Sequence, residues 1–191
     1  APIAADLDFF WAPPHTKKFN QIVCVARLAK QKNLPLLFSV ASVFPSVKFV
    51  IIGEGEERKN LEGIKPNNVF LVGQKSPREI REIFKKSDLF VLPSNYEGWG
   101  LVCLEALASG LPVIMTDTGC AGEVIIDNIT GKVVPIGDIQ SFSKAVKLIT
   151  ENEKEADELV LNGQANLREN YSQREMLLKF VNGLINIRDN D

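Results

Sequence analysis

The 191-residue chain has a single histidine and three cysteines, and it has no apolar run long enough to span a bilayer. Each shortage excludes something. With His15 alone, set among prolines in an expected loop, the chain has no Ser-His-Asp or Cys-His machinery. Cys24, Cys103 and Cys120 are odd in number and widely spaced, which argues against a disulfide framework or a zinc site. They read instead as reduced, buried thiols in a cytosolic setting. The formal net charge of -2 comes with no basic stripe, so no nucleic-acid surface is expected. A nucleotide-sized anion needs only a few aimed donors and stays possible. No GxxxxGK[ST] is present, and "GEGEER" (53–58) fails as a dinucleotide fingerprint because Arg58 holds the third glycine position. Asp6 and Asp8 lie apart from the strand ends, and no metal site is expected there. The opening "APIAADLDFFWAPP" shows no signal-peptide pattern, lacks a methionine and begins in mid-pattern, as a piece of a longer protein would.

What the chain does hold is alternation. Short apolar runs at 22–28, 48–55, 69–74, 89–94, 112–117 and 132–136 are continuous rather than alternating, as in strands covered on both faces. Helical patterns lie between them at Leu34–Phe44, Pro77–Ser87, Leu101–Ser109 and, briefly, Gly122–Asp127. Ser76, Pro77 and Glu79 form a helix-start signature, and Gly110 with Pro112 forms a stop. The order predicts right-handed βαβ units, hence an α/β fold with a Rossmann-like, doubly wound parallel sheet. Beyond Asp138 the pattern predicts amphipathic helices over 141–170 and 172–188, with Phe142, Ala145, Val146, Leu148 and Ile149 on one stripe. The expected organisation is a leading linker (1–19), a sheet domain (20–138) and C-terminal helices (139–191).

Ligands of such sheets bind beyond the carboxyl ends of the strands, where strand order reverses. One stretch there is anomalous. In "SNYEGWGLVCLEALASGLPV" (94–113), Glu105 interrupts a helix that otherwise reads as core, and Glu97 precedes a Gly-Trp-Gly turn. Withdrawing a carboxylate from water costs several kcal/mol, of order 3–5, unless it is partnered. A structural ion pair or loop hydrogen bond would satisfy Glu105. So would a ligand diol, which offers a carboxylate two O–H donors as ribose does in dinucleotide folds. Glu105 lies about 7 Å along the helix from Gly100, at about 1.5 Å per residue. That offset suits a nucleoside whose phosphates sit at the helix start. Gly98 and Gly100 permit close backbone approach, and the free N–H groups from Gly98 to Val102 would favour an anion. After the first strand, Arg27 and Lys32 are placed to neutralise a diphosphate, whereas Lys30 reads as surface solvation.

Together "VARLAKQKNL", "FVIIGEGEER", "VFLVGQKSPREIREIFKKSDLFVLPS" and "EGWGLVCLEALASGLPVIMTDTGCAGEVI" resemble the C-terminal, donor-binding domain of retaining glycosyltransferases with the GT-B fold, family four. The last segment is similar to that family's E-x7-E signature. Ala26 and Asn33 stand where the family has glycines. The resemblance implies transfer of a sugar from a nucleotide-diphosphate sugar to a saccharide or lipid-linked acceptor, without a metal or other cofactor. In that scheme Glu97 binds the donor sugar's hydroxyls and Glu105 the ribose. Arg27, Lys32 and the N–H groups at Gly98, Trp99, Gly100 and Leu101 hold the diphosphate, and the base lies near Gly73 and Gln74. Neither glutamate is assigned as a nucleophile. The acceptor-binding half is absent, so this chain alone is expected to bind donor without transferring it. The resemblance further implies work at the cytoplasmic side, with peripheral membrane association of the full-length protein in building surface polysaccharides. Rival readings are a binding module without catalysis, a GT-B epimerase or phosphorylase, and a plain Rossmann oxidoreductase.

Overall fold

The computed structural model describes residues 6–15 and 19–171. The six apolar runs form β1 (Gln21–Val25), β2 (Lys48–Ile52), β3 (Val69–Leu71), β4 (Leu89–Leu92), β5 (Val113–Thr116) and β6 (Lys132–Val134). All neighbours pair in parallel, in the order β3-β2-β1-β4-β5-β6. β4 and β5 are buried at every position, which is why their sequences are runs of Leu, Phe, Val, Ile and Met, closed by a buried Thr116, rather than alternating. The sheet is the doubly wound one that the alternation predicts. Strand order reverses between β1 and β4, so the crevice lies beyond the ends of those strands.

Helices cover the two faces. They are α1 (Leu7–Phe10), α2 (Leu34–Val43), α3 (Arg58–Ile64), α4 (Pro77–Phe84), α5 (Leu101–Ala108), α6 (Ile139–Glu151) and α7 (Glu153–Asn170). α2 packs with α6, while α5 packs with α1 and α7. The expected start of α4 is realised as a full capping box: Ser76 accepts from the Glu79 N–H, and the Glu79 carboxylate accepts from the Ser76 N–H. Asp88 is buried at the foot of β4 and accepts from the Asn20 and Gln21 N–H groups at 2.9 and 3.0 Å. Those bonds fix where β1 enters beside β4.

Four expectations need correction. The stretch Gly122–Asp127 is not helical. It is a turn closed by isolated bridges, Ala121 to Ile125 and Asp127 to Gly131, and Gly122 takes a positive φ of 78° that no helix contains. The stretch 141–170 is two helices, because Asn152 leaves the helical region and its side chain caps α7 by accepting from the Glu155 N–H. Leu148, expected on the buried stripe, is 41% exposed, whereas Phe142, Ala145, Val146 and Ile149 are buried. The apolar run 22–28 forms a strand only as far as Val25, and Arg27 stands in the loop beyond it, after the strand as expected. α1 and α3 have no counterpart in the sequence reading. The helix anticipated over 172–188 lies outside the described residues.

α1 belongs to the core. Phe10 packs tilted against Phe84 at 6.0 Å, and Phe84 meets Phe90 of β4 edge-on at 5.9 Å. Each such burial contributes roughly 1.5–3 kcal/mol. Gln164 of α7 then ties the parts together, donating to the carbonyls of Ala12, Leu107 and Ala108 at 2.7, 3.2 and 3.2 Å. Asp6 serves as the cap of α1, accepting from the Phe9 N–H. Among the described residues, no group of three or more His, Cys, Asp or Glu side chains is arranged to hold a metal ion. No described helix is long and apolar enough to cross a membrane.

Candidate functional site

Three strand-end loops are stitched edge to edge above the sheet. The Ala26 N–H donates to Ile52 O, the Leu28 N–H to Glu54 O and the Gly53 N–H to Gly73 O, all at 2.9–3.0 Å. Gly53 is required there: its φ is 141°, and a Cβ would strike the Ala26 carbonyl. The result is a cleft of about 600 Å³ at the switch point. Arg27 and Lys32 line one wall, Glu97, Trp99, Gly100, Leu101 and Val102 another, and Gly53, Glu54, Gln74 and Ile80 the far end. The size is that of a small-molecule site.

The loop after β1 and the loop after β4 are joined by specific bonds. The Asn95 N–H donates to Gln31 O at 2.7 Å, and Asn33 Nδ2 donates to Asn95 Oδ1 at 3.0 Å. Asn33 itself sits at φ 46°, in the left-handed region. Asparagine tolerates this conformation better than most residues, so it can stand where a glycine would. Lys32 Nζ, one residue earlier, reaches Glu97 Oε1 at 2.7 Å, with 16% and 9% of the two side chains exposed. Ser94 Oγ donates to the same oxygen at 2.6 Å. On the other side, a Cβ on Gly119 would lie 2.7 Å from Trp99 O and 2.8 Å from Glu97 Cβ, so only glycine lets the β5 loop close against the acidic turn.

The start of α5 is unusual. Gly100 occupies the N-cap with φ 85° and brings no side chain to accept the first N–H groups. Among the described residues, the N–H groups of Gly98, Trp99, Gly100, Leu101 and Val102 have no acceptor. A helix start left uncapped beside a cleft, with the helix dipole behind it, favours negative charge there. Trp99 braces the turn from behind: its indole N–H donates to Glu123 at 3.4 Å, and its ring lies 5.8 Å from that of Tyr171. Tyr171 also donates to Glu123, at 3.2 Å.

Glu105 is half-buried, and its carboxylate makes no hydrogen bond or ion pair with any described residue. Burial pushes its pKa from the ordinary 4.5 to about 7. No described residue supplies the internal partner that could have explained it. It lies one turn past Leu101 and Val102, on the face they present, just beyond the residues that line the cleft. Arg27 is placed differently from its neighbours: it is largely exposed and pairs with Glu56 at 3.1 Å across the cleft rim. Gly73 adjoins Gln74 at the far end, with φ 79°. The thiols are inert packing. All three are buried, and Cys24 is pushed up to about 12, chiefly by burial and then by Glu97, with Lys32 opposing.

The structure therefore brings Arg27, Lys32, Glu97, Trp99, Gly100, Leu101 and Gln74 into one cleft, with Gly98, Gly73 and Glu105 adjoining it. Ser94, Asn95, Gly119, Gly53, Glu54 and Ile80 were not anticipated. Only the glycines and the short polar residues at strand ends carried any signal for them.

This fold and cleft define a Rossmann-like α/β domain with an open cleft at its switch point. Residues 7–166 match the model of the glycosyl transferases group 1 family, and the chain belongs to that family. It is 36% identical over 116 residues to a GDP-mannose-dependent alpha-mannosyltransferase of Mycobacterium tuberculosis, covering 61% of this chain and 30% of that protein. It is 32% identical over 186 residues to a poly(ribitol-phosphate) alpha-N-acetylglucosaminyltransferase of Staphylococcus aureus, covering 90% and 36%. Its fold superposes with a TM-score of 0.77 on the C-terminal domain of a group 1 glycosyl transferase (LpcC) from Francisella tularensis, at 24% identity, covering 89% of this chain and 100% of that one. The chain spans about a third of the length of these curated relatives.

Proposed function

We propose that this chain is the donor-binding half of a glycosyltransferase that takes a sugar from a nucleotide-diphosphate sugar and passes it to a saccharide or lipid-linked acceptor. Residues 1–19 lead in from an acceptor-binding domain, and catalysis occurs between the two. The observation that carries the reading is the Glu105 carboxylate, without a partner among the described residues, one turn beyond an uncapped helix start. A ribose diol would satisfy the first, and a diphosphate the second. Lys32 and Arg27 add positive charge where the departing diphosphate gains negative charge, stabilising the transition state more than the ground state. That is the role a divalent cation takes at other diphosphate sites, and the reading assigns it to these side chains and the α5 N–H groups. Retention of anomeric configuration follows the family resemblance. The names of the relatives, one using GDP-mannose and one acting on poly(ribitol-phosphate), support the substrate class.

The test is a thermal-shift panel of UDP, GDP and ADP with their sugars against wild type, Glu105→Ala and Arg27→Ala. A ligand at a hundredfold excess over its Kd stabilises by about 2.7 kcal/mol. At least one nucleotide should do so for wild type, with Glu105→Ala abolishing most of the gain. The chain should show no turnover with acceptors. A panel without any shift would sink the reading.

A further inference from the structure

Glu97 is held from several directions, yet only one of its oxygens is engaged. Oε1 takes both the Ser94 hydroxyl and the Lys32 ammonium, while Oε2 has no partner among the described residues. Glu97 lines the cleft, so that oxygen remains available to an incoming O–H donor. The Ser94 side of this clamp is built deeply. Ser94 is fully buried, and its carbonyl accepts from the hydroxyl of the equally buried Thr116 at the end of β5. Thr116 also donates to Leu92 O at 3.4 Å, so β4 and β5 together set the height of the Ser94 hydroxyl. A buried serine could have satisfied itself on a nearby backbone carbonyl, as Ser87 does on Ile83. Ser94 instead spends its donor on a carboxylate, the stronger, charge-assisted bond.

We propose that Ser94 is a positioning residue for donor-sugar recognition: it fixes the Glu97 carboxylate so that Oε2 meets a sugar hydroxyl, leaving Lys32 to span the junction between sugar and diphosphate. An ammonium has three donors, and the Glu97 contact uses one, so the others are free for phosphate oxygens. Ser94 acts only through Glu97. It therefore governs the added affinity of a nucleotide sugar over its parent nucleotide, and leaves the nucleotide itself untouched. This inference rests on the reading of the cleft as a nucleotide-sugar site.

The experiment is isothermal titration of the 191-residue chain with UDP, UDP-glucose, UDP-N-acetylglucosamine, GDP and GDP-mannose, below the melting temperature of each variant. Ser94→Ala should bind the parent nucleotide within about twofold of wild type. It should lose about tenfold of the increment that the sugar adds, the range of one charge-assisted hydrogen bond. Ser94→Cys, which keeps a weaker donor in the same place, should lose less. In a Glu97→Ala background the Ser94→Ala change should have no further effect on that increment, since coupled residues are not additive. The inference is overturned if Ser94→Ala leaves the increment intact, weakens nucleotide and nucleotide sugar equally, or acts undiminished without Glu97. Wild type that binds no nucleotide of either kind would overturn the parent reading along with it.

Discussion

Glu105 and Glu97 solve the problem of a carboxylate near a core in opposite ways. Glu97 has a lysine and a serine, whereas Glu105 has neither. Burial has raised Glu105 to about 7 from 4.5, so the folded protein holds a proton that the unfolded chain releases at lower pH. Between those values the native state binds more protons than the unfolded one, and stability falls as pH rises. The loss is complete above about 7 and absent below 4.5. Glu105→Gln should therefore match wild type in thermal stability near pH 4.5 and exceed it at pH 8, with the gap opening across that window in a series of melts. A ligand diol that donates to the ionised carboxylate would close the gap, because it stabilises the charged form. Equal pH dependence of the two proteins would remove the argument for an orphaned acid.

At the scale of the elements, the cleft depends on turns rather than on regular structure. Gly119 and Gly122 provide a controlled comparison. Both have positive φ, 56° and 78°, but a Cβ on Gly119 would collide with Trp99 and Glu97, while one on Gly122 meets nothing within 4 Å. Each alanine substitution should cost about 1–2 kcal/mol through left-handed strain. Gly119→Ala should cost more, and should also weaken nucleotide binding, since the Glu97–Gly100 turn must shift. Gly122→Ala should leave binding unchanged. Denaturant titration paired with nucleotide titration separates the two. The element boundaries were read unevenly for a physical reason. α3 buries only Leu61, so it casts no apolar stripe in the sequence. Val124 and Ile125 are fully buried and look helical in sequence, but they are buried by a turn and an isolated bridge.

At the scale of the molecule, the C-terminal helices and the leading segment hold the scaffold of the cleft from behind. Gln164 supplies the donor for three carbonyls, two of them at the end of α5 and one in the leading segment. Gly163 beside it lets α7 press onto Leu107, whose side chain a Cβ would overlap. Gln164→Ala should destabilise the chain by about 1–2 kcal/mol, because Ala12 O loses its donor while Leu107 O and Ala108 O keep only their backbone N–H bonds. The cost should appear as a single lowered unfolding transition in urea, with α1, α5 and α7 failing together. A separate early transition would show that the leading segment and α7 are independent of the sheet.

The sequence by itself determined the layers: short, uninterrupted apolar runs bounded by turn residues read as strands covered on both faces, and their alternation with helical patterns points to a parallel sheet. It also marked Glu97, Glu105, Arg27 and Lys32, because charge among apolar residues at strand ends is costly enough to be visible in one dimension. Tertiary structure alone decided how those charges are apportioned. Lys32 and Glu97 are 65 positions apart by their numbering, and only the side-by-side placement of β1 and β4 puts them 2.7 Å from each other. The same folding leaves the half-buried Glu105 without a cation among the described residues. Burial and pairing depend on what the chain brings near from afar, and local pattern carries no record of that.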